Sequence, residues 1–335
     1  MSKKVFCFGE LLLRFSPALQ QEWINKNEMS VFVGGAELNV AKALSHWNVP
    51  VKYVTALPNN YLSTEIISSL NADQIVVSDI LFQGERIGTY TLPMGADLKN
   101  AGVIYDRAHS AFASLTKATI NWDKVLDGYD WFHFSAISPA LSVSIAEVCE
   151  EALQAATKKG MTISLDLNYR AKLWQYGKNP VEVMPALAKY CHVIMGNIWS
   201  THQLLGTVLD PLLESNCDKS FYTEHAAKTA KEIFTVYPTC NLVANTFRFS
   251  EDDAVRYYAT VADPNNQVVA FEQYVTTVVD KVGSGDCFMA GLIYSILQKW
   301  DLQQIANFAS SAAFGKLQEK GDSTQQSVAQ INNRF

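Results

Sequence analysis

The sequence predicts a three-layer α/β/α sandwich in which a mostly parallel sheet lies between two layers of helices. Short apolar segments of strand length alternate with longer segments of helix length along most of the chain, and this alternation is typical of open parallel sheets. The chain has 335 residues, of which 48% are hydrophobic. It is therefore long enough to bury a sizeable core, in one large α/β domain or in two smaller ones.

The predicted elements follow one another in the order that this fold requires. The predicted strands are short apolar runs, the first being Val-Phe-Cys-Phe, and they cover residues 5–8, 51–56, 131–134, 162–167, 193–195 and 242–244. The predicted helices fit between them and cover residues 38–46, 64–70, 142–159, 181–188 and 226–237. Because open parallel sheets bind ligands at the carboxyl ends of their strands, we expect the functional site there.

Two segments interrupt this alternation. Residues 11–33 and 82–105 contain short strand-like pieces separated by turn residues, and neither segment contains a convincing helix. We interpret them as a small β layer beside the main sheet, which is either a lid over the site or part of a dimer contact. The alternative is a pair of ordinary surface hairpins.

The composition disfavours several functional classes. The net charge of −6 gives no sign of a surface for nucleic acids or anionic membranes, so positive charge for an anionic ligand must be local. The six cysteines form no Cys-x-x-Cys pair, which favours buried thiols in a reducing compartment over disulfides or zinc. Neither a signal peptide nor a long apolar run is recognisable, so we expect a cytoplasmic protein without membrane or nucleic-acid partners.

The segment 280–286 is the most informative motif. Its sequence is Asp-Lys-Val-Gly-Ser-Gly-Asp, and it stands between a predicted strand at 274–279 and a predicted helix at 287–297. The first N–H groups of a helix have no acceptor within the helix, and two glycines let a ligand approach them, so the turn is a candidate anion site. Asp286 places a carboxylate beside it, which suggests phosphoryl transfer to a hydroxyl. The alternative is a tight turn in which Asp286 only caps the helix.

Two common nucleotide-binding motifs do not account for this segment. No Gly-Lys-Ser or Gly-Lys-Thr follows the turn, so it is not a Walker A loop. Phe288 stands where a dinucleotide fingerprint would have its third glycine, which disfavours a dehydrogenase.

A second glycine motif, Gly34-Gly35 followed by Asn39, precedes another predicted helix. The glycines let the backbone touch a ligand and Asn39 offers a donor and an acceptor, although taken alone the motif is more typical of a helix cap. Together, the two motifs resemble those of the ribokinase-like pfkB family of carbohydrate kinases. The residues that match the patterns of that family are Gly34, Gly35, Asn39, Ala41, Asp280, Gly283, Gly285 and Asp286.

The resemblance implies the architecture and the chemistry of that family. It implies a single ribokinase-like domain over residues 1–335, with a lid from about 11–33 and 82–113. Exposed strands of this lid could pair with those of a second copy and form a homodimer. It implies that ATP with Mg²⁺ is the phosphoryl donor, that Asp286 accepts the proton of the acceptor hydroxyl, and that the turn formed by Gly283, Ser284 and Gly285 stabilises the transferred group. The implied nucleotide contacts are Asn168, Asn197, Arg248, Gly283 and Gly285, and no metal site built from protein ligands is predicted.

Further segments resemble the members of this family that phosphorylate 2-keto-3-deoxygluconate at its 6-hydroxyl. These segments are residues 9–12, 34–37, 104–107, 166–170 and 173–174. By this resemblance the sugar acid contacts Gly34, Gly35, Asn39, Tyr90, Tyr105, Arg107 and Arg170. Arginine binds carboxylates through a planar fork of donors, so two arginines would select acids over neutral sugars.

The chain departs from the family pattern at four places, and the change at Ser284, between the late glycines, is the mild one. Ser200 stands where the family often has a glutamate that organises Mg²⁺, residues 245–249 replace a glycine-bearing nucleotide segment, and Lys281 stands where threonine is common. The charge of Lys281 faces either the ATP phosphates or solvent. Two alternative functions remain: a kinase for a neutral sugar such as fructose, and a catalytically silent protein that senses a sugar acid.

Overall fold

The computed structural model describes residues 3–18, 28–93, 102–214, 218–251 and 254–335. In chain order, the strands are β1 (Val5–Phe8), β2 (Leu12–Ser16), β3 (Ser30–Gly34), β4 (Val51–Val54), β5 (Ala56–Leu57), β6 (Leu81–Phe82), β7 (Gly88–Thr91), β8 (Ile104–Asp106), β9 (Trp131–Ser135), β10 (Thr162–Asp166), β11 (Val193–Gly196), β12 (Leu242–Glu251), β13 (Ala254–Ala262), β14 (Gln267–Val269) and β15 (Gln273–Val275). The α-helices are α1 (Ala36–His46), α2 (Tyr61–Ala72), α3 (Trp122–Val125), α4 (Val143–Lys158), α5 (Pro180–Ala188), α6 (Ile198–Leu205), α7 (Lys219–Val236), α8 (Ser284–Leu297), α9 (Leu302–Lys316) and α10 (Val328–Asn332).

The main sheet contains nine strands within the described ranges. Its order is β14-β13-β12-β11-β10-β9-β1-β4, and β15 pairs with β13. Every pairing from β4 across to β12 is parallel, whereas β13 joins β12, β14 and β15 antiparallel. The mostly parallel sheet predicted from the alternation of strands and helices is therefore confirmed.

The parallel strands are buried on both faces, which explains their continuous apolar sequences. In β1, Val5 and Cys7 join a hydrophobic cluster that also contains side chains of α1, α2, α8 and α9. Phe6 and Phe8 point to the opposite face and join a second cluster with side chains of α3, α4, α5 and α7. Helices thus cover both faces of the sheet, as the three-layer prediction requires.

The strand predicted at 242–244 is longer in the structure. β12 continues to Glu251 because β13 pairs with it as an antiparallel hairpin, from Val243 opposite Ala262 to Glu251 opposite Ala254. Residues 245–249 consequently lie inside a strand and do not form a separate segment after it. The short apolar run was visible in the sequence, but the partner that extends the strand is not a local feature.

The strand predicted at 274–279 is wrong over most of its length. β15 covers only Gln273–Val275, and the backbone N–H of Val279 donates instead to the carbonyl of Leu317, which directly follows α9 (2.8 Å). The next helix, α8, begins at Ser284 and not at 287, with Gly283 as its N-cap. The glycine turn is therefore the start of the helix itself.

The two segments that interrupt the alternation form one small sheet. Its order is β3-β2-β7-β8, with β2 and β3 from the first segment and β7 and β8 from the second. The parallel pairing of β2 with β7 joins the segments, so they are not separate hairpins. The parts of the predicted lid at 19–27 and 94–101 lie outside the described residues.

Five cysteines, at positions 7, 149, 191, 240 and 287, are buried free thiols, as expected, and Cys217 lies outside the described residues. In the part of the chain that the structure describes, none of the helices is apolar over a stretch sufficient to cross a bilayer.

Candidate active site

A cavity of about 430 Å³ opens at the carboxyl ends of the central parallel strands. Asp166 ends β10 and Gly196 ends β11, and both line the cavity. The first turns of α1, α6 and α8 also reach it, and the small sheet contributes Leu12, Tyr90 and Tyr105. This is the edge of the sheet at which the sequence predicted a site.

All but one of the predicted site residues line this cavity. Those that line it are Gly35, Asn39, Tyr90, Tyr105, Arg107, Asn168, Arg170, Asn197, Arg248, Gly283, Ser284, Gly285 and Asp286. Gly34 is the exception, because it ends β3 next to the side chain of Asp322, where an added Cβ would lie 2.3 Å from Oδ2. Gly34 therefore makes room for Asp322 rather than forming part of the cavity wall.

The late glycine turn has the geometry of an anion-binding helix start. Gly283 adopts the left-handed conformation (φ 79°), and an added Cβ would lie 1.8 Å from the carbonyl oxygen of Asp322, so only glycine fits. At Gly285 an added Cβ would have no heavy atom of the described chain within 4 Å. The first N–H groups of α8 have no acceptor in the helix, and the helix dipole adds positive charge there. The turn is therefore suited to hold an anionic group against its backbone.

Asp286 lies in the first turn of α8 and contacts a residue from the early glycine motif. The Nδ2 group of Asn39 donates a hydrogen bond to Oδ2 of Asp286 over 2.7 Å, and both side chains are buried. The other polar atom of Asn39, Oδ1, is buried without a hydrogen-bond partner among the described residues. Because buried polar atoms are normally paired, this acceptor is suited to a hydroxyl of a ligand.

Burial raises the pKa of Asp286 well above its usual range, and the charge of Asp166 raises it further, whereas the hydrogen bond from Asn39 lowers it. Burial is also the main cause that raises the pKa of Asp166 to about 7, while Arg170 opposes the shift. A carboxylate with a raised pKa binds a proton more readily, and this property suits a general base.

Two acidic side chains of this region received no role from the sequence. Asp166 lines the cavity. Glu37 is buried, does not line the cavity, and accepts hydrogen bonds from the N–H and the hydroxyl of Ser135 (2.8 and 2.6 Å). Burial raises the pKa of Glu37. A signal for Asp166 existed, since it ends an apolar strand of a parallel sheet. Glu37 had no local signal, because Ser135 lies 98 residues away.

The two arginines that line the cavity have different partners. Arg107 is buried and forms an ion pair with Glu10, whose Oε2 lies 2.8 Å from Nε. Arg170 is partly exposed, and its Nη1 donates to the backbone carbonyl of Tyr169 over 2.9 Å. Arg170 also interacts electrostatically with Asp166. The ion pair of Arg107 is buried.

The two predicted tyrosines stand next to each other on the small sheet. Tyr90 on β7 and Tyr105 on β8 have ring centroids 6.1 Å apart. The hydroxyl of Tyr90 donates to Oδ2 of Asp322 (3.3 Å), and the guanidinium of Arg107 lies 5.8 Å from the ring centroid of Tyr105. The pair therefore forms an aromatic wall with its polar groups held in place.

Behind this wall, Arg14 on β2 is fully buried between two carboxylates. Its Nη2 lies 2.6 Å from Oδ2 of Asp280 and 2.7 Å from Oδ1 of Asp322. Asp280 also accepts a hydrogen bond from the N–H of Val282 (3.1 Å). The cluster joins the small sheet to the glycine turn. The sequence identified Asp280 by its motif but missed Arg14, because 266 residues separate the two.

The wall formed by β12 and α6 contributes aromatic and polar groups. Asn197 caps α6 by accepting the N–H of Ser200 over 2.8 Å, and both residues line the cavity. Trp199 and Phe249 add aromatic surface. The cationic side chains that line the cavity, within the described ranges, are Arg107, Arg170, Arg248 and Lys281. The cavity thus brings four cationic side chains together within an acidic chain, and they provide donors for an anionic ligand although Glu10 neutralises Arg107.

Comparisons with known proteins identify the family and the fold. A model of the pfkB family of carbohydrate kinases matches residues 2–329. The crystal structure of a 2-dehydro-3-deoxygluconokinase from Thermotoga maritima is 34% identical, with a TM-score of 0.89 over 99% of both chains. A 2-dehydro-3-deoxygalactonokinase from Haloferax volcanii is 32% identical over 174 residues, which are 52% of this chain and 54% of that protein. A fructokinase from Xylella fastidiosa, solved with bound ATP, shares the fold at 18% identity, with a TM-score of 0.75 over 99% of this chain and 98% of that one.

Proposed function

The chain belongs to the pfkB family of carbohydrate kinases, and we propose that it transfers the γ-phosphoryl group of ATP to the 6-hydroxyl of 2-keto-3-deoxygluconate. The observation that carries this proposal is that Asp286, the glycine turn and two arginines line one cavity. A carboxylate beside an anion site suits phosphoryl transfer to a hydroxyl, and arginines suit an organic acid. The relatives from T. maritima and H. volcanii, which are named for keto-deoxy sugar acids, support this substrate class.

We place the sugar acid between the small sheet and the first turn of α1. Its carboxylate would meet Arg107 and Arg170, and its carbon chain would lie against Tyr90 and Tyr105. The unpaired Oδ1 of Asn39 would accept a hydrogen bond from a hydroxyl. The charged arginines favour the acid over a neutral hexose such as fructose.

The chemistry follows from the position of Asp286. Its carboxylate orients the 6-hydroxyl and accepts the hydroxyl proton, while the bond from this oxygen to the γ-phosphorus forms. The bond from the γ-phosphorus to the oxygen of the β-phosphate breaks, and ADP leaves. The N–H groups of Ser284 and Gly285 stabilise the negative charge of the transferred group. In a loose transition state the proton leaves late, so orientation by Asp286 contributes as much as its basicity.

We place ATP along the wall formed by β12 and α6. Arg248 and Lys281 would contact phosphates there, while Asn168 and Asn197 would provide polar contacts. Within the described residues, no three His, Cys, Asp or Glu side chains form a group that could hold a metal ion. Mg²⁺ would enter the cavity with ATP, and there it would withdraw charge from the phosphates.

We further propose that the chain is one kinase domain in which the small sheet acts as a lid and as a dimer contact. Both edge strands of this sheet carry exposed apolar side chains, Val31 on β3 and Ile104 on β8. An exposed edge strand is a template for pairing with a second copy. Light scattering of the wild type and of Val31→Lys tests the dimer. A wild-type monomer at micromolar concentration would exclude it.

The function is tested by measuring ADP release with Mg-ATP and a panel of acceptors. The panel contains 2-keto-3-deoxygluconate, its galactonate epimer, fructose and ribose, and mass spectrometry with ³¹P NMR identifies the phosphorylated oxygen. We expect the highest kcat/KM with a keto-deoxy acid and a 6-phosphate as the product. A preference for fructose would establish the neutral-sugar kinase instead, and binding of the acid without ADP release would establish a sensor.

Arginine variants test how the acid is recognised. Replacing Arg107 or Arg170 by glutamine removes a charge-assisted hydrogen bond worth about 1.5–3 kcal/mol, so KM for the acid should rise about 10–100-fold. Arg86→Gln is the matched control, because Arg86 lies close to the small sheet but pairs with the exposed Asp106 (2.7 Å) and does not line the cavity. An equal effect of all three substitutions would show that the acid is not bound by Arg107 and Arg170.

A further inference from the structure

We propose that Glu10 is a positioning residue that determines which edge of the Arg107 guanidinium faces the sugar acid. The proposal deepens the function proposed above and rests on it. Glu10 follows β1, is 3% exposed and does not itself line the cavity. It acts on the ligand only through Arg107, so its contribution is one of geometry.

The contacts of Glu10 select one edge of the guanidinium. Oε2 of Glu10 accepts hydrogen bonds from both Nε and Nη2 of Arg107, over 2.8 and 2.5 Å. An arginine has one N–H on Nε and two on each terminal nitrogen. The pair with Glu10 uses the edge formed by Nε and Nη2. One N–H of Nη1 and the second N–H of Nη2 remain on the adjacent edge, which is a fork that can bind a carboxylate through two parallel hydrogen bonds.

The carboxylate of Glu10 is itself held from the other side. Its Oε1 accepts a hydrogen bond from the hydroxyl of Ser110 over 2.5 Å, and Oγ of Ser110 accepts the N–H of Ala113 over 3.1 Å. Gly88 on the small sheet leaves room for the Glu10 carboxylate, because an added Cβ at Gly88 would lie 2.5 Å from Oε1 of Glu10. Both oxygens of Glu10 are thus engaged, and its side chain has little freedom to change rotamer.

The arrangement also changes what Arg107 contributes. The buried pair of Arg107 with Glu10 carries no net charge, so Arg107 recognises oxygen atoms by the direction of its donors. A fork whose orientation is fixed before binding loses less side-chain entropy when the ligand arrives. Removing the charge of Glu10 without changing its shape should therefore weaken binding through lost orientation, although the net positive charge at Arg107 would increase.

The test compares Glu10→Gln with Ser110→Ala. In Glu10→Gln an amide oxygen replaces the carboxylate acceptor, so the bonds to Arg107 lose the negative charge of their acceptor. In Ser110→Ala the ion pair stays intact, and only the support of Oε1 is lost. Calorimetry measures the Kd of 2-keto-3-deoxygluconate without nucleotide, and ADP release measures kcat and KM. We expect Glu10→Gln to raise Kd and KM about 10-fold, the scale of a weakened charged hydrogen bond, with kcat changed by less than about 3-fold and a smaller effect from Ser110→Ala.

A double-variant cycle separates positioning from a general loss of structure. If Glu10 acts through Arg107, then Glu10→Gln should cause no further rise of KM in an Arg107→Gln background. Additive effects in the cycle, or an unchanged or lowered KM in the single variant, would overturn the proposal. If Glu10→Gln does not fold, the doubly neutral Glu10→Gln/Arg107→Gln protein is compared with Arg107→Gln alone, and any difference in KM counts against positioning.

The two proposals can fail independently. Wild-type protein that neither binds nor phosphorylates a keto-deoxy acid would refute the proposed function. Wild-type protein that phosphorylates the acid, together with a Glu10→Gln variant of unchanged KM, would refute only the role of Glu10.

Discussion

The side-chain amide of Asn39 donates a 2.7 Å hydrogen bond to the carboxylate of Asp286, although 247 residues separate them in the chain. The bond joins the first turns of α1 and α8, which carry the early and the late glycine motifs. Asp286 is therefore fixed in orientation while its second oxygen is not used by Asn39. This relationship makes the proposed proton acceptor part of a built site and not only a helix cap.

Replacing Asp286 by asparagine should lower kcat about 10²–10⁴-fold, because the variant lacks the group that accepts the hydroxyl proton. Asparagine has the same shape, so the fold should persist, as judged by circular dichroism and melting temperature. Coupled ADP release measures kcat. The control is Asp127→Asn, which neutralises a carboxylate that is 84% exposed and does not line the cavity. Wild-type turnover in Asp286→Asn would refute the assignment of Asp286.

Replacing Asn39 by alanine should move the acid limb of the pH profile. The hydrogen bond from Asn39 favours the charged form of Asp286 and lowers its pKa, so its loss should raise that pKa. The acid limb of kcat/KM should therefore move to higher pH, because Asp286 must lose its proton before it can act as the base. An unshifted limb with reduced kcat would mean that another group controls the profile.

Glycine-to-alanine substitutions at 283 and 285 should have opposite effects on stability. Gly283→Ala forces a left-handed backbone on alanine and places Cβ against the carbonyl of Asp322, so both the melting temperature and kcat/KM should fall. Gly285→Ala meets no neighbouring atom and lies in a helix, where the change gains about 0.5–1 kcal/mol. Its methyl group should still hinder the bound anion and raise KM for ATP. Equal melting temperatures for both variants would contradict the described turn.

Replacing Asp166 by asparagine should stabilise the protein more at pH 8 than at pH 5. Burial raises the pKa of Asp166 from 3.8 to about 7, so the folded state binds this proton more tightly than the unfolded state. The wild type therefore loses stability as pH rises through this range, and the variant does not share that loss. Urea denaturation measures the unfolding free energy of the variant and of the wild type at each pH. The difference between the two proteins should be larger at pH 8 than at pH 5 by on the order of 2 kcal/mol. A pH-independent difference would contradict the raised pKa.

Much of the fold was readable from local patterns. The run at Val5–Phe8 is apolar at every position, and in the structure its alternate side chains enter two different clusters on the two faces of the sheet. The glycine turn at 283–285 could also be predicted from local sequence, because a left-handed residue and an open helix start both favour glycine. The strand predicted at 276–279 was wrong. The apolar character of these residues does not show whether a neighbouring strand is present to pair with them.

By itself, the sequence determined the parallel layered fold and predicted the family, and nearly all of the site residues that it predicted line the cavity. Local patterns carry this information because backbone periodicity and glycine conformation depend on near neighbours in the chain. Only the tertiary structure decided which charges neutralise each other. The pairing of Glu10 with Arg107, the burial of Arg14 between Asp280 and Asp322, and the raised pKa of Asp166 all depend on groups from distant segments. Electrostatic energy depends on distance in space and on exclusion of water, and neither quantity can be predicted from the order of the residues alone.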